Sequence, residues 1–316
     1  MVFLPRPDWL DRLVGIPGLN DGVDALNLEN RLGKVIVGCS GGADSLALLA
    51  VSVSIGLDVV AVHVDHGLRP ESARETDVVE LRAGDLGVTV DLRQVEVGLG
   101  PNLEARARTA RYRALSDAAD EHGAPNIFVG HTADDQAETV LLALLRGSAM
   151  SGLAGMPVQR GPIIRPLLQV RRSETEAYCA KLGWDPVRDP SNDDRAYRRA
   201  WIRHEALPLL SQGAERDLVP ILARQAEVLR VESEFLDQAA RALWPGGDDT
   251  SAQNLIAAPL ALARRAVRCW LGLPPPSFEE VERVLAVARG EATATEISGG
   301  RRVWRSAGQM LAEARH

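Results

Sequence analysis

Only three cysteines, Cys39, Cys179 and Cys269, occur in the 316 residues. They lie far apart and form no C-x-x-C pair, which argues against disulfides, a zinc site and an iron–sulfur cluster. No apolar run approaches the roughly 18 residues of a membrane span, and the N-terminus has no secretory signal pattern. Positive charge is short too: 36 Lys and Arg stand against 43 Asp and Glu, a formal net charge of -7. That excludes a protein that coats nucleic acid without specificity, while leaving room for an RNA held by a local basic face. These absences place the chain in the cytoplasm as an expectation.

The two common phosphate loops are missing as well. There is no G-x-x-x-x-G-K-[ST], hence no Walker lysine, and no G-x-G-x-x-G where a nucleotide loop would fall. What stands there is Val35-Ile36-Val37-Gly38-Cys39-Ser40-Gly41-Gly42-Ala43-Asp44-Ser45, followed by Leu46-Ala47-Leu48-Leu49. The β-branched run reads as a buried strand. Ser40, Gly41 and Gly42 predict a tight turn, and Asp44-Ser45 opens a helix. Such a junction turns free backbone N–H groups and the positive end of a helix dipole towards one point, a phosphate site. An ordinary βα turn with a serine or aspartate cap has the same residues, so the string alone leaves both readings open. As S-G-G-x-D-S it resembles the pyrophosphate loop of N-type ATP pyrophosphatases, which adenylate a carbonyl and release pyrophosphate.

At this length, with 46% hydrophobic residues, the chain can bury a substantial core and hold two domains. A lead-in helix is expected from about Trp9 to Leu32, interrupted near Gly15-Ile16-Pro17-Gly18. Strands at 35–39, 59–64, 88–95 and 127–131 then alternate with helices at 45–55, 71–86, 103–122 and 133–146. That alternation predicts a doubly wound α/β domain with a parallel sheet and right-handed crossovers. Ligands of such sheets bind beyond the carboxyl ends of the strands. The unusual polar residues fall there: Ser40-Gly41-Gly42, then His63-Val64-Asp65-His66, then His131-Thr132-Ala133-Asp134-Asp135. Residues 147–156 read as a small-residue loop, 163–168 as a last strand, and 173–182 as a helix capped by Ser173 with Glu176 in a capping box. The domain boundary is expected near 212–216, giving a catalytic domain 1–214 and a smaller, mostly helical domain 215–316 that ends in a hairpin with a Gly299-Gly300 turn.

Three further groupings carry chemistry. Asp134, Asp135 and Glu138 share the first turns of one helix, where dipole electrostatics accounts for one or two carboxylates but less well for three. Beside bound ATP they suit Mg²⁺ or an ammonium group. Helix 103–122 bears Arg106, Arg108, Arg111 and Arg113 around a stripe of Leu103, Ala107, Ala110, Ala114 and Ala118. A solvated basic face and a phosphate or RNA contact remain equal alternatives for it. Segment 189–203 interleaves Arg195, Arg198, Arg199 and Arg203 with Tyr197 and Trp201, a pattern suited to RNA and equally to a hinge. His63, Asp65 and His66 read as nucleotide packing sooner than as metal ligands.

Taken in order, these segments closely resemble the bacterial tRNA(Ile)-lysidine synthetases. The likeness runs from Lys34 to about Arg203 and includes Gly130-His131-Thr132-Ala133-Asp134-Asp135-Gln136-Ala137-Glu138-Thr139 and Asp189-Pro190-Ser191-Asn192. Two departures stand out: Ala200 follows Arg199 where the family often has asparagine, and 147–152 lacks a further glycine. The resemblance implies ATP and Mg²⁺ as cofactors, with free lysine and a CAU-anticodon tRNA(Ile) as partners and no membrane. Oligomeric state is left open, a homodimer being one option. It implies that Ser40, Gly41, Gly42, Ala43, Asp44 and Ser45 cradle the nucleotide with His63, Asp65 and His131. Asp44 and Asp135 would hold the metal, Arg108 or Arg111 would meet phosphate charge, and Asp134 or Asp135 with Glu138 would hold lysine. Other classes remain: a tRNA thiolase or amidating synthetase, counted against by the missing C-x-x-C and glutaminase cysteine, a nucleotide-binding signalling module, or an RNA-binding protein without chemistry.

Overall fold

A computed structural model describes residues 4–16, 32–65, 67, 72–98, 103–188, 198–245, 250–272 and 275–314. The chain forms two compact units, Met1–Glu227 and Val228–His316, and the division falls inside the helix Val219–Leu243. In the first unit, strands β1 (Val35–Gly38), β2 (Val59–Asp65), β3 (Thr89–Gln94), β4 (Asn126–Val129), β5 (Gln159–Arg160) and β6 (Ile163–Ile164) make one sheet in the order β3-β2-β1-β4-β6-β5. All neighbours pair in parallel except β5 with β6.

Side chains alternate across a strand, so one strand feeds two layers. Val35, Val37 and Phe128 pack with Leu46, Leu49, Val79 and Ala83 on one face. Ile36, Val60, Val62 and Ile127 pack with Leu115, Ala118 and Ala119 on the other. Helices therefore cover both faces, as a doubly wound sheet requires. The strand order reverses between β1 and β4, which makes their carboxyl ends the switch point where ligands bind.

Several local expectations change. The lead-in segment opens with a short 3-10 helix, Leu10–Arg12, and its longer part, 17–31, lies outside the described residues. Helix Leu103–His122 buries Ala114, Leu115, Ala118 and Ala119, but Leu103 is exposed. Its first turns overrun the four-residue strands, so the apolar stripe has no sheet beneath it there. The 147–156 loop contains a short helix, Met150–Leu153, and the last strand shrinks to two residues. The helix expected from Ser173 starts one residue earlier, at Arg172. Arg171 is its N-cap and donates its amide to Glu174 rather than relying on Glu176. The serine is displaced because Asp134 already accepts the Arg172 amide.

In the second unit, helices Ala252–Ala257, Leu260–Leu271 and Phe278–Arg289 enclose a core of Leu255, Val267, Val284 and Met310. Ser277 caps the last of them with Glu280 in a capping box. The terminal hairpin is a three-stranded antiparallel sheet, β7 (Ala294–Ile297), β8 (Arg301–Ser306) and β9 (Gln309–Ala314). A second turn at Ala307-Gly308, both at positive φ, adds the strand that the single Gly299-Gly300 signal did not announce.

Candidate active site

The turn after β1 is tied by its own serines. Ser45 Oγ accepts from the Ser40 amide at 3.1 Å and donates to Gly42 O at 2.9 Å. Gly41 sits at φ +77°, where a side chain would be strained and its Cβ would come within 3.3 Å of Glu75 O. Gly42 is the N-cap of helix Ala43–Ser54, and no side chain caps that helix. Its first turn thus offers uncapped N–H groups to an anion. The end of β4 closes on the same turn: a Cβ on Gly130 would stand 3.0 Å from Asp44 C and 3.1 Å from Ser45 N. Only glycine lets the two strand ends meet this closely.

Asp44, Asp134, Asp135 and Glu138 are brought together around four guanidinium groups, of which the sequence reading singled out Arg199 and Arg203 but not Arg171 and Arg172. Arg172 lies among three of them, 3.5 Å from Asp44, 3.0 Å from Asp135 and 3.4 Å from Glu138. Arg171 takes Asp134 at 3.1 Å and also pairs with Asp217. Glu138, 1% exposed, is held by Arg203 at 2.7 Å and Arg199 at 3.1 Å. A buried carboxylate needs such partners. One signal for Arg171 and Arg172 was present: two cations at a helix N-terminus oppose its dipole, so something else must hold them there.

The carboxyls of this set differ in environment. Burial, then the neighbouring Asp135 charge, pushes Asp44 up to about 6, against the pull of Arg172 and Thr175. Burial opposes the charge of Asp135 also, but Arg172, His131, Arg199 and the Thr132 amide outweigh it and hold the group at about 2. Asp44 is thus raised where Asp135 is lowered, although both face Arg172. Asp44 and Asp135 are hard oxygen donors of the kind that could take a divalent cation, and Arg172 contacts both of them, at 3.5 and 3.0 Å.

Burial, then the charges of Arg108, Arg111 and Arg165, lowers His131 to about 3 against the pull of Asp135, so its ring is neutral. His63 is buried and donates from Nδ1 to Cys39 O at 2.8 Å, and its buried Nε2 has no partner among the described residues. It lies one residue from Ser40 through that carbonyl. Asp65 ends β2 and accepts from the Gly67 amide at 2.8 Å; it does not join the carboxylate group. His66, Arg69, Asn102, residues 189–192, Arg195 and Tyr197 lie outside the described residues.

Arg199 and Arg203, which the sequence leaves between an RNA contact and a hinge, are partly exposed and paired within the fold. Both are committed to Glu138, while Arg198 and Trp201 are exposed beside them. Sequence reasoning also passed over Gln136 and Thr175. Gln136, buried, donates to Met156 O at 3.0 Å and accepts from the Met156 amide at 2.8 Å, pinning the end of the small-residue segment. Thr175 donates to Asp44.

Comparison with known proteins agrees with this geometry. A family model described as the PP-loop domain matches residues 20–210. The chain is 41% identical over 302 residues to the tRNA(Ile)-lysidine synthase of Salinispora tropica, covering 89% of this chain and 90% of that protein. It is 42% identical over 270 residues to that of Mycobacterium tuberculosis strain H37Rv, covering 81% and 82%. Among solved structures, the U34-tRNA thiolase NcsA from Methanococcus maripaludis matches with a TM-score of 0.53 at 18% identity, over 65% of this chain and 78% of that one. That likeness is one of fold. The uncapped glycine turn at the sheet's switch point defines an ATP-using PP-loop domain. Within that class, the chain belongs to the tRNA(Ile)-lysidine synthase family of ATP-dependent ligases.

Proposed function

We propose that this chain modifies the wobble cytidine of a CAU-anticodon tRNA(Ile) in two steps, in the cytoplasm. The 2-carbonyl oxygen of the base attacks the α-phosphorus of ATP, and the α–β bridging bond breaks to release pyrophosphate. Lysine's ε-ammonium gives a proton to the carboxylate that holds it, and the amine then attacks C2, the adenylyl oxygen leaves with AMP, and a C–N bond to lysine remains. Extending the comparisons to substrate in this way is supported by identity near 40% across nine-tenths of the chain.

Each role follows from charge and position. The uncapped amides that follow Ser40 in the turn receive the β- and γ-phosphates, leaving the α-phosphate beside the end of β4. Asp44 and Asp135 would hold Mg²⁺, which when bound supplies positive charge against the pyrophosphate leaving group. Arg108 and Arg111 carry no carboxylate partner among the described residues and meet charge that develops on phosphate. Asp134 holds lysine's ammonium end, since its Oδ1 keeps a lone pair beyond the one taken by Arg171, while Oδ2 serves Arg171 and the Arg172 amide. Glu138, with both oxygens engaged, fixes Arg172, Arg199 and Arg203 around that pocket. The unit Val228–His316 is assigned to tRNA binding.

The observation that carries the reading is the raised Asp44 carboxyl in the first turn of an uncapped helix. The decisive assay is release of AMP and pyrophosphate from ATP. It should require both lysine and a CAU-anticodon transcript, with lysine appearing in the RNA. Release indifferent to lysine would sink the proposal.

A further inference from the structure

Two carbonyls of the 40–45 turn are held by partners of their own. Gly42 O accepts from the Leu46 amide at 3.0 Å and from Ser45 Oγ at 2.9 Å. Gly41 O accepts from the amide of Val187 at 2.9 Å, a residue far along the chain. Val187 lies in the segment 184–188, which follows helix Arg172–Lys181. Trp184 fixes the start of that segment: it is buried in the core that holds Leu46 and Leu49, and its amide donates to Cys179 O at 2.9 Å. Pro186 stiffens the backbone directly before Val187. The Val187 side chain also lies against the turn, with Cγ2 3.5 Å from where a Cβ on Gly41 would stand.

A trans peptide points its C=O and N–H in opposite directions. Holding Gly41 O towards Val187 therefore turns the Gly42 N–H to the other side, and that amide has no partner among the described residues. The same carbonyl has a competing donor. The helix ladder begins with the Leu46 amide on Gly42 O, and one residue further back it would join the Ser45 amide to Gly41 O. That bond is not made. Gly41, at φ +77°, stands off the helical path, and Val187 supplies the partner that its buried carbonyl needs. We propose that Val187 is a positioning residue of the phosphate site. Its backbone amide holds the Gly41–Gly42 peptide in the orientation that gives the Gly42 N–H to the pyrophosphate part of ATP. It also keeps Gly41 O from capping the helix. The reverse orientation of that peptide would meet the phosphates with an oxygen. The inference deepens the reading above, and rests on it, that this turn receives the β- and γ-phosphates.

The test titrates the full chain with ATP and Mg²⁺, with inorganic pyrophosphate, and with AMP. Wild type is compared with Val187→Pro, which lacks the donor, and with Val187→Ala, which keeps it. A third form carries the α-hydroxy analogue of valine at 187, so that an ester replaces the amide and the side chain stays. The proline and ester forms should bind ATP and pyrophosphate roughly tenfold to a hundredfold more weakly, the loss of one hydrogen bond to a charged group. AMP lacks both outer phosphates and should bind as it does to wild type. Val187→Ala should bind all three as wild type does. Should Val187→Pro not fold, the ester form decides. Unchanged pyrophosphate affinity in the folded proline or ester form overturns the positioning role. An equal loss of AMP affinity overturns it too, since a tie that merely supports the fold would weaken every nucleotide alike. Wild type that binds neither ATP nor pyrophosphate overturns the assignment of the turn itself.

Discussion

Arg203 Nε donates to Glu138 Oε1 at 2.7 Å, and the carboxylate it holds is almost wholly buried. Arg199 and Arg172 complete the same pocket. Glu138 is therefore a counter-ion to three cations at once, and its charge is what keeps them together.

Replacing it with an uncharged isostere strands those cations. Glu138→Gln should cost on the order of 3 kcal/mol in denaturant unfolding and raise the lysine KM, with tRNA adenylation largely kept. Arg203→Met should cost less, and the double variant less than the two costs added, because the partners are coupled. An unchanged unfolding midpoint for Glu138→Gln would show that the pocket does not depend on this charge.

Asp44 should behave in the opposite sense. Its carboxyl is raised to about 6 against an ordinary 3.8, so the folded state binds the proton more tightly than the unfolded chain. The group therefore stabilises the fold as pH falls through that window and opposes it once ionised above about 6. Asp44→Asn should raise the melting temperature of the free protein at neutral pH while abolishing ATP cleavage. Retained ATP cleavage in a folded Asp44→Asn protein would remove the residue from the nucleotide site.

Acid stability of the second unit should centre on Glu280. Its carboxylate accepts from the Ser298 amide at 2.5 Å, Ser298 Oγ at 2.7 Å and the Ser277 amide at 2.6 Å. Ser298 Oγ first, then these amides, holds it at about 2 against an ordinary 4.5. The depressed value contributes stability that is complete above 4.5 and lost as pH falls towards about 2. Thermal unfolding of Glu280→Gln should show a lower melting temperature at neutral pH and a flatter decline across that window. A decline as steep as wild type places the acid sensitivity in other carboxyls.

The arginines of the terminal sheet should separate by role. Arg302 is exposed, 5.9 Å from the Trp304 ring centre, whereas Arg301 donates to Leu271 O at the end of helix Leu260–Leu271. Arg302→Ala should reduce the tRNA salt slope by about 0.7–0.9 with stability unchanged. Arg301→Ala should cost about 1 kcal/mol of stability by uncapping that carbonyl. Equal salt slopes for wild type and Arg302→Ala would leave this sheet without an RNA role.

Much was legible because its signals are local. The β-branched run at 35–37, the glycine turn and the following apolar helix each follow from neighbouring residues, and the alternation of strands with helices dictates a parallel sheet. The carboxylates of helix Ala133–Leu145 could be placed at a strand end for the same reason. The cap at Ser173 misled because a local capping rule met a long-range competitor, the Asp134 carboxylate. At Arg199 and Arg203 the pattern was basic and aromatic as RNA sites are, yet the deciding partner, Glu138, lies some sixty residues earlier.

The sequence by itself determined the elements, the class of domain and the turn that can bind phosphate, since these rest on periodicity and on what glycine permits. Tertiary structure alone decided which charges meet. Arg172 reaches Asp44 across 128 residues of chain, and Arg203 reaches Glu138 across 65. A charge acts on whatever the fold sets beside it, and nothing in the residues flanking an arginine records whether that neighbour is a carboxylate, a phenol or the phosphate of a substrate.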